Sequence, residues 1–320
     1  PDGMKDGATI IHDDLRMSEG GKEVEKTTNI SNHVLHEIGD IEKGFTQADL
    51  VIEREFNTAT VHQGYIEPHP VTALWNNDDR LTIWTSTQGA FTARDALAPL
   101  LDIPVSKIKV VPMEIGGGFG GKNTVYPEEI LTNMASRLLA RPVKWIEDRR
   151  EHFLASIQER DQEWDVEVAV DTEARVQGVR GTMYHDQGAY TLLGLHVPHN
   201  SSIAVPGPYH IPNYRIEVLV AETNKVGTIP VRGAGYPEGN FTIERVLDRI
   251  ARELGMDRAE VRRRNLIPGD AIPYQMPMKT REGTPMIYES GDFLHCYEMA
   301  LEASGYADFE QRQKEALAEG

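Results

Sequence analysis

Cysteine is nearly absent from this chain, which has one, Cys296, among 320 residues. A single thiol cannot build a disulfide framework, and it cannot hold an iron–sulfur cluster or a cysteine-bound zinc ion. Cys296 falls in a helix-like pattern of apolar residues, which predicts a buried structural side chain. The scarcity of cysteine and the lack of a secretory signal favour a reducing, cytoplasmic location.

Positive charge and long apolar runs are also scarce. Lysine and arginine number 33 against 50 acidic residues, giving a formal net charge of −17. Such an acidic chain is a poor partner for nucleic acid. No stretch approaches the ~18 apolar residues of a membrane helix. With 40% hydrophobic and 26% charged residues, the composition predicts a soluble globular protein.

The N-terminal region is polar and acidic with scattered glycine. Residues 1–45 therefore read as a connecting segment, and residues 46–320 as the main region, with two subdomains dividing near residues 150–160. Because the chain begins at Pro1 rather than methionine, we expect a processed or partial polypeptide.

From residue 50 onward, strands and helices alternate in an irregular order. Period-two alternation of apolar residues predicts strands, and a period near 3.6 predicts helices. Mixed elements in this order indicate an α+β fold. The predicted strands are 50–56, 80–86, 108–113, 164–170 and 176–184, the last two forming a hairpin, and the predicted helices are 91–101, one from Pro127, one ending at Gly255 and one begun by an Asp257/Glu260 capping box.

The densest glycine run, residues 115–123, lies between a predicted strand and a predicted helix. It holds five glycines in six residues, with Phe119 among them. Glycine permits positive φ and lets a ligand approach the backbone closely. Successive N–H groups in such a loop form a concave nest for anions.

Three interpretations of this loop remain open from the residues alone. A Walker phosphate loop is excluded because Lys122 is followed by Asn123 rather than serine or threonine. Gly116, Gly118 and Gly121 satisfy the dinucleotide-binding pattern, but no βαβ pattern precedes them. A weak nucleotide-binding interpretation, a tight turn without ligand and a cofactor-binding loop all remain.

Further motifs make the sequence resemble the molybdenum hydroxylases, namely the large subunits of xanthine dehydrogenase, aldehyde oxidase and carbon monoxide dehydrogenase. The resemblance runs in order from about Thr46 to Asn265. Its motifs are Glu67-Pro68-His69, Thr85-Ser86-Thr87-Gln88, the loop Gly116–Lys122, Asp186-Gln187-Gly188-Ala189-Tyr190, Arg232-Gly233-Ala234-Gly235, and the run from Pro237 through Glu253-Leu254-Gly255-Met256-Asp257 to Arg262-Arg263-Arg264-Asn265.

This resemblance implies a molybdopterin-binding region, in its first half, within a molybdenum-dependent oxidoreductase. The implied cofactor is molybdopterin with molybdenum, the cytosine dinucleotide form being one option. The implied reaction hydroxylates an aldehyde or N-heteroaromatic substrate, with water as the oxygen source. Electrons would leave through [2Fe-2S] and FAD centres on partner subunits. A non-catalytic cofactor-binding or scaffold subunit is the alternative.

The same resemblance assigns site residues, with no direct side-chain ligand to the metal. The Gln88 amide would donate to a metal-bound oxygen, and Arg232 would orient substrate and developing charge. The loop residues Gly117, Gly118, Phe119 and Gly120 would bind the cofactor, with the N–H groups of Phe119 and Gly120 facing the metal.

The chain departs from the family pattern at positions that shape the substrate pocket. Asn123, Ala234 and Asn200 stand where purine-oxidising members carry a glutamate, an aromatic residue and an arginine. These differences disfavour xanthine as the substrate. Arg232-Gly233-Ala234-Gly235 also lacks the cysteine of the carbon monoxide branch.

The family's catalytic base is a glutamate in a second molybdopterin-binding half, which this chain does not contain. The local acids Glu128, Glu238 and Glu244 fit helix starts or interiors better, so none is nominated. We therefore expect the partners to be a second molybdopterin-binding half or subunit, an iron–sulfur subunit and a flavin subunit.

Overall fold

The computed structural model describes residues 2–12, 17–19, 22–24, 28–190, 192–193 and 195–320. Within them, strands and helices mix as the α+β prediction requires, and that prediction is confirmed. The strands are β1 Met17–Glu19, β2 Lys22–Val24, β3 Ile30–Ile38, β4 Leu50–Thr58, β5 Pro70–Trp75, β6 Leu81–Thr85, β7 Ile108–Pro112, β8 Val143–Ile146, β9 Gln162–Val170, β10 Val176–Asp186, β11 Tyr214–Ala221, β12 Tyr274–Lys279 and β13 Pro285–Tyr288. The α-helices are α1 Ile41–Thr46, α2 Ala90–Leu101, α3 Pro127–Leu139, α4 Arg149–Ala155, α5 His196–Ala204, α6 Tyr236–Leu254, α7 Arg258–Asn265, α8 Phe293–Ser304 and α9 Phe309–Glu319.

A seven-stranded sheet, in the order β2-β1-β3-β11-β10-β9-β4, forms the larger half of the fold. Strand β9 buries Trp164, Val166 and Val168, and the predicted hairpin of β9 and β10 is confirmed. Helix α6 packs its apolar stripe, including Leu247 and Ile250, into the same core.

A four-stranded sheet, in the order β7-β6-β5-β8, forms the smaller half. Its core joins Leu81 and Ile83 of β6 to Leu97 of α2. Strands β6 and β7 run parallel, so their carboxyl ends meet at one edge of the sheet. Gln88 follows β6 and the glycine loop follows β7, so this pairing brings the two predicted site segments together.

The prediction that residues 1–45 form a connecting segment is wrong for β3 and α1, which belong to the folded structure. Strand β3 pairs with β11 along its whole length, and Asn29 before it is 1% exposed. Because β4 also belongs to the large sheet, the small sheet is an insertion between β4 and β9. The chain returns to the large sheet after α4, close to residues 150–160 where a division was predicted.

Two smaller predictions also need correction. Cys296 is exposed, because it lies on α8, a helix without a buried residue in the described structure. Asp257 caps α7 by accepting the N–H groups of Ala259 and Glu260. The Glu260 carboxylate does not complete a capping box, because it pairs instead with Arg263 and Arg264. None of the described helices is long and apolar enough to cross a bilayer.

Asn265, at the end of α7, is expected to be a major anchor of the large sheet. Its Nδ2 donates to the Ala174 and Val261 carbonyls at 2.7 and 2.8 Å, and its Oδ1 accepts the Val176 N–H at 2.8 Å. Asn265→Ala would leave buried backbone groups without partners, which costs about 3 kcal/mol of unfolding free energy. Urea unfolding checks this, with the exposed Asn57→Ala as control. Equal stability of both variants would contradict it.

Candidate functional site

The glycine loop and a second loop, residues 230–235, border an open cavity of about 420 Å³ at the sheet edge. We call it the glycine-loop cavity. It unites predicted site residues from three separate parts of the sequence. Its lining comprises Gln88, Ile115, Gly117, Gly118, Phe119, Gly120, Pro230, Val231, Arg232, Gly233 and Ala234.

The two loops contact each other backbone to backbone. Gly117, Phe119 and Gly120 have φ values of 94°, 48° and 111°. The Arg232 N–H donates to the Phe119 carbonyl at 2.9 Å. A Cβ on Gly120 would lie 1.7 Å from the Pro230 carbonyl oxygen. Glycine is therefore required at position 120 by its dihedral angles and by the close approach of the second loop.

Three consecutive backbone donors in the loop are unused. Within the described residues, the N–H groups of Gly117, Gly118 and Phe119 have no hydrogen-bond partner. The neighbouring Gly116 N–H donates to Glu67 at 2.7 Å. Such a run of free donors in a concave loop is suited to an anion.

Gly120 differs from this expectation, since its N–H does not face the cavity as a free donor. It donates at 2.9 Å to Gln88 Oε1, which also accepts the Lys122 N–H at 3.2 Å. These two donors fix the orientation of the Gln88 amide. The Nε2 amino group is left without an acceptor in the described structure, which is the orientation needed for donation into the cavity.

A buried ion pair fastens the loop to the small sheet. Lys122 Nζ, whose side chain is 0% exposed, donates to Glu67 Oε2 and Ser86 Oγ at 2.7 Å each. Burial raises the pKa of Glu67, but the hydrogen bonds from Lys122, Ser86 and the Gly116 N–H outweigh it and leave that pKa below its usual value. Neither Glu67 nor Lys122 was predicted to be a site residue. Both residues lie in motifs of the family resemblance, and this is the signal that could have identified them.

Arg232 projects into the cavity as an exposed side chain without an acidic partner in the described structure. Its guanidinium carbon lies 5.2 Å from the centre of the Phe119 ring, at cation–π distance. The guanidinium is thus held by an aromatic face while its N–H groups remain available to a ligand.

Two of the three predicted pocket residues lie together. Asn200, on α5, donates its Nδ2 to the Ala234 carbonyl at 2.9 Å, and Ala234 lines the cavity. Asn123 does not. The turn in which its N–H donates to the Gly120 carbonyl directs it away, into a separate cavity of about 90 Å³ beside Thr87. The grouping of Asn123 with this pocket is therefore not reproduced.

The local acids are engaged in other contacts, and none lines the cavity within the described residues. Glu128 lies 3.3 Å from His69 Nδ1, Glu238 pairs with Arg160, and Glu244 accepts from Tyr209 at 2.6 Å. Glu159 is 0% exposed, and burial together with Glu238 raises its pKa to about 8.

Stability is expected to depend on pH through Glu159. The folded protein keeps a proton that an unfolded glutamate, with a pKa of 4.5, has released. This stabilisation is complete below the unfolded pKa and is lost as pH rises through the folded pKa. Relative to Glu159→Gln, wild-type unfolding free energy should fall by up to about 1.4 kcal/mol per pH unit between those pKa values. Urea titrations measure the difference. A constant difference, like that expected for the exposed Glu163→Gln, would refute it.

Comparison with known proteins identifies several similar chains. A family model described as "Molybdopterin cofactor-binding domain" matches residues 23–266. The 6-hydroxypseudooxynicotine dehydrogenase complex subunit gamma of Paenarthrobacter nicotinovorans is 32% identical over 285 residues, covering 88% of this chain and 36% of that protein. The nicotine 6-hydroxylase large subunit of the same organism is 30% identical over 318 residues, covering 97% and 38%.

A solved structure agrees with these matches. Quinoline 2-oxidoreductase from Pseudomonas putida 86 superposes with a TM-score of 0.84 at 30% identity. The superposition covers 94% of this chain and 38% of that one. This chain thus spans well under half the length of each of these three relatives, while 88% or more of it is matched.

Proposed function

Because this chain belongs to the molybdenum hydroxylase family, we propose that it forms the first part of a molybdopterin-binding site that hydroxylates an N-heteroaromatic or aldehyde substrate. The family resemblance inferred from the sequence motifs is confirmed by the family model, which matches residues 23–266. The cavity between the two loops carries the proposal, because it concentrates unused donors where the resemblance placed the cofactor.

The described residues fit an anionic cofactor. The N–H groups of Gly117, Gly118 and Phe119 and the amino group of Gln88 supply donors. Arg232 adds a positive charge that no described acid neutralises. No carboxylate lines the cavity in the described structure, so nothing there repels an anion. Because the loop is glycine-rich, side chains do not fill the space that a pterin group needs.

When bound, the molybdenum–pterin group supplies a two-electron oxidation that places oxygen from water on carbon. The chain's own contribution is orientation and charge stabilisation. Gln88 Nε2 would donate to an oxygen of the group, and the free loop N–H groups would donate to its negatively charged oxygens. Donors held in advance need no reorganisation as charge develops. Arg232 would orient a substrate carbonyl or ring nitrogen through directed N–H donors.

An N-heteroaromatic substrate other than a purine is favoured over xanthine. Ala234 is small, and Asn200 is occupied with the Ala234 carbonyl, so these residues offer neither an aromatic wall nor a positive charge. The three similar proteins described above are named for nicotine, 6-hydroxypseudooxynicotine and quinoline, all of which contain a nitrogen heterocycle. The carbon monoxide branch stays disfavoured, since Cys296 lies on α8 and does not line the cavity.

The active site needs a base from elsewhere. Among the described residues that line the cavity, Arg232 is the one with an ionisable side chain, and a guanidinium does not act as a base at neutral pH. We therefore place the glutamate base on a second molybdopterin-binding half. Iron–sulfur and flavin subunits complete the proposed electron path, in keeping with the naming of relatives as subunits of complexes.

The isolated chain is expected to show no turnover, whereas its native complex should oxidise quinoline with a dye acceptor. The reason is the missing base, whose removal from general acid–base catalysis typically costs about 10²–10⁴-fold. The measurement combines the subunit composition of the native complex, its molybdenum content and identification of the released pterin. A complex without molybdenum would favour the scaffold alternative, and turnover by the isolated chain would refute the missing base.

A further inference from the structure

A second polar cluster lies apart from the glycine-loop cavity, between the small sheet and α4. Its members are His69, Glu147 and His152, each buried. One ligand atom from each lies within 4.8 Å of the others. The His152 side chain is 0% exposed and that of Glu147 is 3% exposed. This grouping of two imidazoles and a carboxylate is a ligand set that zinc uses in proteins.

The distances approach those of a coordination shell. His69 Nδ1 lies 3.4 Å from Glu147 Oε2 and 3.3 Å from Glu128 Oε1. Ligand atoms around a tetrahedral zinc ion are about 3.3 Å apart, given bonds of about 2.0–2.1 Å. His152 Nδ1 is closer to Glu147 Oε2, at 2.6 Å, as a shared proton would hold it. Replacing that proton by a metal requires this pair to separate by less than an ångström, and the other ligand atoms, which lie within 4.8 Å of one another, to move to about 3.3 Å.

Hydrogen bonding inside the cluster leaves one group unexplained. His69 Nε2 is paired with the Tyr65 hydroxyl at 2.9 Å, so both nitrogens of His69 have neighbours. His152 Nε2 is buried without a partner in the described structure. A metal bound at Nδ1 would leave this Nε2 unchanged, so the proposal rests on the grouping of the ligand atoms and not on the unpartnered nitrogen.

We propose that His69, Glu147 and His152 form a binding site for a zinc-class divalent cation, with Glu128 beside it, 3.3 Å from His69 Nδ1. Glu128 is the member nearest solvent, with its side chain 19% exposed, and it marks the entry side. A divalent ion would neutralise the two neighbouring carboxylates. The Tyr65 oxygen would accept the Nε2–H of His69 and fix the ring, as groups behind metal-bound histidines commonly do.

The site would brace the glycine loop from behind. Tyr65 is 2% exposed, and a Cβ on Gly121 would lie 2.6 Å from its ring. The Lys122 ammonium lies 4.8 Å from the same ring. An ion that fixes His69 would therefore fix the surface on which Gly121 and Lys122 rest. This role is structural, so it requires neither molybdenum nor turnover.

The test measures zinc and thermal unfolding on the full complex. After treatment with a chelator, Zn²⁺ at about 100 times its Kd should raise the unfolding midpoint of the chain by about 5 °C. Mg²⁺ should not, since it prefers all-oxygen sites. Co²⁺ should give the visible absorption of a tetrahedral site. Binding should approach one ion per chain.

Matched variants separate this site from chance binding. His152→Gln and Glu147→Gln keep size and polarity but should lower zinc affinity at least 10-fold, while His185→Gln, at a buried histidine outside the cluster, should not. Wild-type protein that shows no zinc-dependent shift and no cobalt spectrum would overturn the proposal, even if a variant fails to fold. Equal zinc binding by all variants would do the same. Molybdenum content, measured in parallel, reports separately on the proposed function.

Discussion

Gly120→Val is expected to leave the complex without molybdenum, whereas Phe119→Leu should keep it loaded and active. Gly120 has a φ of 111°, a conformation that a β-branched residue avoids at a cost of about 1–3 kcal/mol. The added Cβ would also lie 1.7 Å from the Pro230 carbonyl oxygen. Since that atom is backbone, the two loops must separate, and the cavity between them changes shape.

Phe119→Leu tests whether the backbone of the loop, rather than the Phe119 side chain, binds the cofactor. Phe119 is 39% exposed, so shortening its side chain opens no buried cavity. The backbone N–H that we assign to the cofactor remains. The variant loses the ring beneath Arg232, which should weaken activity about tenfold at most, given the modest energy of a cation–π contact.

A third variant distinguishes steric clash from backbone strain. Gly283 has a φ of 83°, but a Cβ there would meet nothing within 4 Å. Gly283→Val should therefore carry the dihedral cost without displacing a loop, and molybdenum occupancy should be unchanged. If Gly120→Val binds molybdenum and turns over normally while Phe119→Leu is inactive, the loop is not a cofactor cradle.

Local patterns predicted the elements around the site well. The strand before the glycine loop, the helix from Pro127 and the amphipathic helix ending at Gly255 all occur. Each has its signal within a dozen residues, because period, capping and glycine stops are short-range properties. The positions of Gln88, Phe119 and Arg232 came instead from the family motifs, and the structure brings all three to one cavity.

Contacts between residues far apart in the sequence could not be predicted from local patterns. Strand β3 carries polar residues such as Asn32 and His33, and it enters the large sheet because β11 provides its ladder. No local pattern announces a partner almost two hundred residues away. The Lys122–Glu67 pair has the same origin, since a buried lysine is tolerated where a distant carboxylate compensates it. Asn123 was misplaced because the turn that directs it outward depends on a backbone contact with Gly120.

Arg232→Ala is expected to lower kcat/KM of the assembled complex at least a hundredfold without changing its unfolding temperature. Removal of one oriented donor that acts on developing charge costs about 3–4 kcal/mol of transition-state stabilisation. The stability of the fold should not change, because the Arg232 side chain is exposed and forms no ion pair in the described structure. Its backbone N–H, which joins the two loops through the Phe119 carbonyl, survives the substitution.

The matched control is Arg252→Ala, at another exposed arginine without an acidic partner among the described residues. It lies on α6 at the edge of a different cavity, so its loss should change neither activity nor stability. A second variant, Arg232→Lys, separates the effect of the positive charge from that of the directed donors. Lysine keeps the charge but loses the planar set of directed donors, so recovery of less than about a tenth of wild-type kcat/KM supports orientation as the main role. Full recovery by lysine would show that charge alone suffices, and equal effects of Arg232→Ala and Arg252→Ala would remove Arg232 from the proposed site.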